Sequence, residues 1–298
     1  MPIDGIVPAA IVSVVAAAAV FCVMFQLGLR APPREYRSAW RERGPMLRAI
    51  FTSLVAVPAI AILSARALGL ARSAEIGVVL MAISPGAPIA VRRALGGGAP
   101  PTFVAALQVS EAALAVVSMP LTVFLLDEVY AGSAAVAPWK LAREVLAFQL
   151  LPVALGVLAR LAAGERVSRI ERPLSTVGTV LVALLLALVA LDEYPVAGEV
   201  GARTAAAILL IVVLAIAVGH ALGGPAAGTR TAVAVAAGTR NVGFAMLVAS
   251  INPALREVPA AILAYLFISA VALVPYLAWR RRSAAAAPGA SSQKANLA

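Results

Sequence analysis

The chain has 298 residues, 62% of them hydrophobic and 13% charged, with a formal net charge of +10 and a mean hydropathy of +0.97. Soluble domains are about 45–50% apolar and about 25% charged, so this composition excludes a soluble protein and marks an all-α polytopic membrane protein. A single cysteine and a single histidine exclude disulfides and a cysteine- or histidine-built metal site, and no cofactor is expected.

A bilayer core about 30 Å thick takes about 20 apolar residues per helix, and nine stretches reach that length. The first, 6–29, lacks the basic run that opens a signal peptide and holds Cys22 and Gln26. The second covers 46–70. The third, 74–97, is interrupted by SPGAP, Ser84 to Pro88, and then carries Arg92 and Arg93, for which snorkelling to the interface is sufficient explanation. The fourth, 102–126, carries Glu111, with Gln108 and Ser118 on the same helical face. The fifth, 141–162, contains Gln149, read with Gln26 as a helix-packing hydrogen-bonding residue. The sixth and seventh are 174–191 and 203–222, the latter ending near His220, read as packed or interfacial. The eighth, 229–251, is interrupted by GTRNVG, Gly238 to Gly243, and the ninth is 258–279. Residues 1–282 are thus expected to form one transmembrane domain, and 283–298, rich in small residues, a disordered cytoplasmic tail.

The basic balance is a topology signal. Most of the 24 lysines and arginines fall in the loops of one side, whereas Asp127, Glu128, Asp192, Glu193 and Glu199 fall on the other. The positive-inside rule places the N-terminus outside and the C-terminus in the cytoplasm of a cell inner (plasma) membrane, which requires an odd number of spans. No basic-aromatic groove for nucleic acid is present.

Spans three and eight carry proline and glycine near their midpoints, where freed backbone groups need protein or a water-filled cavity to satisfy them. The two are five spans apart, so they run in opposite directions, as corresponding members of an inverted repeat do when they mark a transporter's midplane site. Two unrelated kinks are the alternative. Ser84 and Gly86 of the third span and Gly238, Arg240 and Asn241 of the eighth are the candidate site residues at the breaks. Arg240, halfway through its span, costs about 2.5–3.5 kcal/mol on insertion scales and needs a partner or a cavity; an arginine that snorkels is the alternative. Glu111 is its expected counter-ion, or a titrating group coupled to it, with a purely structural ion pair as the competing reading.

The order of FCVMFQLGLR with PPREY, SPGA, LLPVALGVLAR and RTAVAVAAGTRNVGFA resembles the bile acid:sodium symporter family. The resemblance implies a panel of helices packed against a core in which two discontinuous helices cross. It also implies sodium ligands, and most of these are replaced. Ala236 stands where the family has a glutamate, Arg240 where it has a glutamine, and Ala90 and Val91 where it has serine and asparagine. The same register places Val104, Gln108 and Ser53 at further ligand positions. A sodium ion needs several oxygens, so sodium coupling is expected to be weak or absent, with Arg240 acting as a tethered cation.

The expected function is secondary active transport of a small organic anion by a nine-helix inverted-repeat fold with two broken, crossing helices. Ser53, Ser84, Gly86, Gln108, Glu111, Gly238, Arg240 and Asn241 are expected to bind substrate or ion, and a proton or residual sodium is the coupling candidate. The alternative is a non-transporting sensor or subunit that inherited the fold, distinguished by a filled crossing with no cavity. Arsenite export calls for an intramembrane thiol near the break, and Cys22 is in the wrong helix.

Overall fold

A computed structural model describes residues 8–30, 33–41, 43–129, 136–193 and 200–285. Of the expected tail, residues 286–298 lie outside these; residues 283–285 continue the last helix.

The elements, in chain order, are α1 (Ala9–Leu29), α2 (Pro33–Ala39), α3 (Arg43–Phe51), α4 (Val57–Ala67), α5 (Arg72–Ile83), α6 (Pro88–Gly96), α7 (Pro101–Val129), α8 (Pro138–Val145), α9 (Leu151–Ala163), α10 (Ser168–Glu193), α11 (Ala202–Leu222), α12 (Ala227–Gly238), α13 (Val242–Ile251) and α14 (Pro259–Ala285). A π turn, Thr52–Ala56, joins α3 to α4, and another, Leu146–Leu150, joins α8 to α9. Among the described residues no strand occurs, and eight helical segments are long and apolar enough to cross a membrane. The expected third span is missing from these eight because Ser84–Ala87 is irregular, leaving α5 and α6 with 12 and 9 residues.

The π turns have a common cause. In each, a proline follows two residues after the last π residue, Pro58 in one and Pro152 in the other. Proline cannot donate to a preceding carbonyl and its ring crowds the turn before it. The helix widens by one residue instead, the Val57 N–H reaching Thr52 and the Leu151 N–H reaching Leu146, each five residues back.

The centre belongs to α12 and α13. Of the most apolar window in Ala227–Ile251, 94% is buried by protein, against 17–39% in the other seven segments, so this span is wrapped by its neighbours and the others face lipid. Its alanines and glycines let neighbouring backbones come close, as in the contact of α11 with α12. On the other side of the molecule α1 packs on α9 and α10. There Gly28 and Gly156 oppose each other so closely that a Cβ on Gly28 would overlap the Val153 carbonyl, and one on Gly156 the Phe25 carbonyl. Gln26 behaves as expected, donating to the Glu171 carbonyl of α10 at 3.2 Å. His220 is packed, with Nδ1 3.0 Å from the Tyr276 hydroxyl and its ring against Trp279.

Candidate functional site

The two irregular segments, Ser84–Ala87 and Thr239–Asn241, meet. The Asn241 N–H donates to the Ser84 carbonyl at 2.9 Å, so each break supplies part of what the other lost. Asn241 also caps α13, its Oδ1 accepting from the Phe244 N–H at 3.1 Å, which is why an asparagine suits the start of the second half-helix. Ser84 turns its hydroxyl back to the Leu80 carbonyl at 2.6 Å. Gly86 has φ of +79°, a conformation that favours glycine; a Cβ there would lie 3.6 Å from Gln149 Nε2 and 3.8 Å from the Gln108 carbonyl.

Arg240 is 2% exposed. Its Nη2 donates to the Ser53 carbonyl at 2.7 Å and to the Ala82 carbonyl. Both acceptors are available for local reasons. Ser53 lies in the first π turn, where a π-type bond to its carbonyl would have to come from Pro58, which has no N–H. Ala82 is in the last turn of α5, where carbonyls lack intrahelical partners and the helix dipole is negative. The guanidinium thus occupies a cation position made from main-chain oxygens.

Glu111, 1% exposed, accepts from Gln108 Nε2 at 3.3 Å and faces the Ser53 hydroxyl and the Gly86 N–H. It makes no salt bridge with Arg240, for which it is the expected counter-ion or coupled titrating group. The ion pairs among the described residues join Arg30 to Glu171 and Glu75 to Arg66 and Arg72. Glu111 and Arg240 interact through space instead, with Ser53 between them: its side chain faces the carboxylate and its carbonyl holds the guanidinium.

Among the described residues, nine buried side-chain polar atoms lack a hydrogen-bond partner within the protein, and all belong to Ser53, Gln108, Glu111, Gln149, Arg240, Asn241 and Tyr265. The set divides by chemistry. Arg240 Nε and Nη1 and Asn241 Nδ2 are donors on the eighth-span break; Ser53 Oγ, Gln108 Oε1, Glu111 Oε1 and the Tyr265 hydroxyl supply oxygens from surrounding helices, and Gln149 offers both kinds.

A cavity of about 220 Å³ reaches this point. Arg240, Asn241, Val242 and Gly243 line it together with Ala87 and Ile89, so the N-terminal ends of α6 and α13 both border it. Helix N-termini favour anions, and Arg240 adds a full positive charge to this wall.

Of the sequence-predicted residues, Arg240 and Asn241 line the cavity, whereas Ser53, Ser84, Gly86, Gln108 and Glu111 are buried around the junction outside its lining. Gly238 ends α12, and a Cβ there would press on Ile216 at 2.7 Å, giving it a packing contact with α11. Three residues carry more than sequence reasoning assigned them. Gln149, expected to make a packing hydrogen bond, has neither amide atom paired. Tyr265 was not singled out at all; a lone hydroxyl in AILAYLF was the signal. Arg92, read as snorkelling, lines the cavity and donates to Ser175 of α10 at 2.9 Å. The Gln149 signal was the proline three residues later, which marks the π turn.

The profile of the sodium bile acid symporter family matches residues 17–198. That range contains α5, α6 and α7 with the first break, and ends before α12. No curated protein matches the chain. Proteins of this family are membrane transporters and not enzymes, and at family level they couple organic anions to sodium. More than half of the chain falls within the match, and the chain belongs to the sodium bile acid symporter family.

Proposed function

We propose that this chain is a secondary transporter of small organic anions in which Arg240 receives the anion and stands in for a coupling sodium. The observation that carries the reading is the wall of the cavity where the buried cation Arg240, Asn241 and two half-helix N-termini border one space. The cavity also argues against the alternative of a non-transporting subunit with a filled crossing. The reading includes a ninth span formed by α5 and α6 together, an inverted repeat relating it to α12 and α13, the N-terminus outside and the C-terminus in the cytoplasm. Ser53, Ser84, Gly86, Gln108, Glu111, Arg240 and Asn241 are its proposed substrate- or ion-binding set, with Gly238 as a supporting residue.

Weak sodium dependence follows from the main-chain oxygens. Ser53 and Ala82 carbonyls already hold a cation in Arg240, while Ala90 and Val104, at the family's ligand positions, are buried without side-chain oxygens. If an ion is coupled, a proton on Glu111 is the candidate: protonated, it leaves Arg240 free for a carboxylate; ionised, it draws on the same positive charge.

Uptake of radiolabelled organic acids into proteoliposomes, with sodium and proton gradients imposed separately, tests this. Uptake that needs neither gradient, or only the proton gradient, is expected. Strong stimulation by sodium alone would refute the tethered-cation reading, and no uptake of any anion would refute transport.

A further inference from the structure

The cavity wall carries a second arginine without a carboxylate partner. Arg92 lies four residues beyond Pro88 on α6, about 6 Å further along the axis at 1.5 Å per residue, and lines the same space as Arg240. Its side chain is drawn across to α10 by Ser175, which takes one nitrogen at 2.9 Å. This orientation differs from snorkelling, because the guanidinium bridges two helices at the cavity wall. The neighbouring charges leave it unopposed: Glu171, also on α10, is engaged by Arg30 at 2.5 Å, and the lining contains no carboxylate. The rest of the wall is mostly apolar, with Val20, Val23, Val182, Leu186 and Leu266, and also holds Gln26, Thr179 and Arg30, the last paired with Glu171.

Two arginines without a carboxylate partner, lining one largely apolar cavity, complement an anion with two anionic groups on a short hydrocarbon spacer. We propose that the preferred substrate of this site is a dicarboxylate-type dianion, one carboxylate on Arg240 and Asn241 and the other on Arg92. The inference rests on the anion-carrier reading and narrows it. A monocarboxylate would engage Arg240 and leave Arg92 on Ser175, whereas a dicarboxylate exchanges the single neutral Ser175 acceptor for a carboxylate, which an arginine fork can hold with two parallel hydrogen bonds and an opposite charge.

Binding of succinate, glutarate and adipate, against butyrate, valerate and hexanoate, to the purified full chain in nanodiscs tests it by calorimetry at fixed salt. The best diacid is expected to bind at least about tenfold tighter than its matched monoacid, equivalent to about 1.4 kcal/mol. Arg92→Gln should collapse that ratio, and Arg92→Lys should restore part of it. Because Arg92 is exposed, neither variant threatens folding. Diacids and monoacids binding within twofold of one another, or Arg92→Gln weakening both by the same factor, would overturn the proposal while leaving monoanion transport intact. Failure of every diacid to bind overturns it as well, whereas the broader reading fails only if no organic anion is taken up.

Discussion

Arg240 is costly to bury and is held on one edge only, by two backbone carbonyls, with Nε and Nη1 left over. Replacing it with glutamine removes both the cation on the carbonyls and the positive charge at the cavity wall. Anion affinity is expected to fall by about 10–100-fold, on the basis of about 1.5–3 kcal/mol for hydrogen bonds to a charged group, measured by the same calorimetry. Lysine keeps the charge but is a point donor without the planar fork, so Arg240→Lys should recover less than half of the lost binding energy. The paired change Ala236→Glu with Arg240→Gln returns the carboxylate and amide that the family carries at these positions. It should make uptake rise with external sodium, and an unchanged sodium response would show that Arg240 is not a substitute for the ion.

At the scale of elements, the two prolines that create π turns act on the site through the backbone. Ser53 offers its carbonyl to Arg240 because residue 58 has no N–H. Pro58→Ala supplies one, so the helix can bond that carbonyl internally and Arg240 loses a partner. The variant is expected to be more heat-stable, by about 2–4 °C for each kcal/mol gained, and to bind anions several-fold more weakly; a scanning calorimetry trace set beside uptake rates would show both movements. Higher stability without weaker binding would mean that Ser53 does not position Arg240. This link also explains which parts of the site were legible in the sequence. The breaks in SPGAP and GTRNVG stood out because glycine, proline and charge are expensive in an apolar helix, and Glu111 stood out for the same reason. What holds Arg240 did not stand out, because its acceptors are main-chain oxygens present at every residue and selected only by local geometry. Whether Glu111 and Arg240 form a salt bridge is not legible in the sequence for a related reason: spacing places both near one level but does not show that Ser53 faces one and holds the other. Gln149, expected to make a packing hydrogen bond, has neither amide atom paired within the protein, and a glutamine's partner is not legible until the neighbouring helix is known.

Considered as a whole, the molecule has hollows on both sides of the junction. The 220 Å³ cavity lies on the side of Arg30 and Arg92, while on the other side a pocket of about 70 Å³ is lined by Arg72, Glu75, Leu141, Val248 and Leu255, and one of about 340 Å³ by Trp139, Arg143 and Glu144. That second side is tied by Glu75 with Arg66 and Arg72, and by Asn252, whose Nδ2 donates to both oxygens of the buried Glu144 at 3.2 and 3.3 Å and so fastens the end of α13 to α8. Loosening this fastening should populate a form open on the opposite side. A cysteine placed at Leu255, in a background with Cys22 replaced by alanine, should react faster with a membrane-impermeant thiol reagent from that side when Asn252 is alanine. Equal rates would show that the Glu144–Asn252 contact does not hold that side shut.

The guanidinium seated on the Ser53 and Ala82 carbonyls has a thermodynamic consequence. A diffusible ion contributes its electrochemical potential to each cycle because it is taken from one compartment and released into the other. A cation on a side chain is never released, so it performs no osmotic work however tightly it aids binding. With Arg240 alone the protein would only equilibrate its substrate, in whichever direction the gradient pointed. Any accumulation above equilibrium would therefore identify a second passenger, and its stoichiometry could be read from the steady-state ratio.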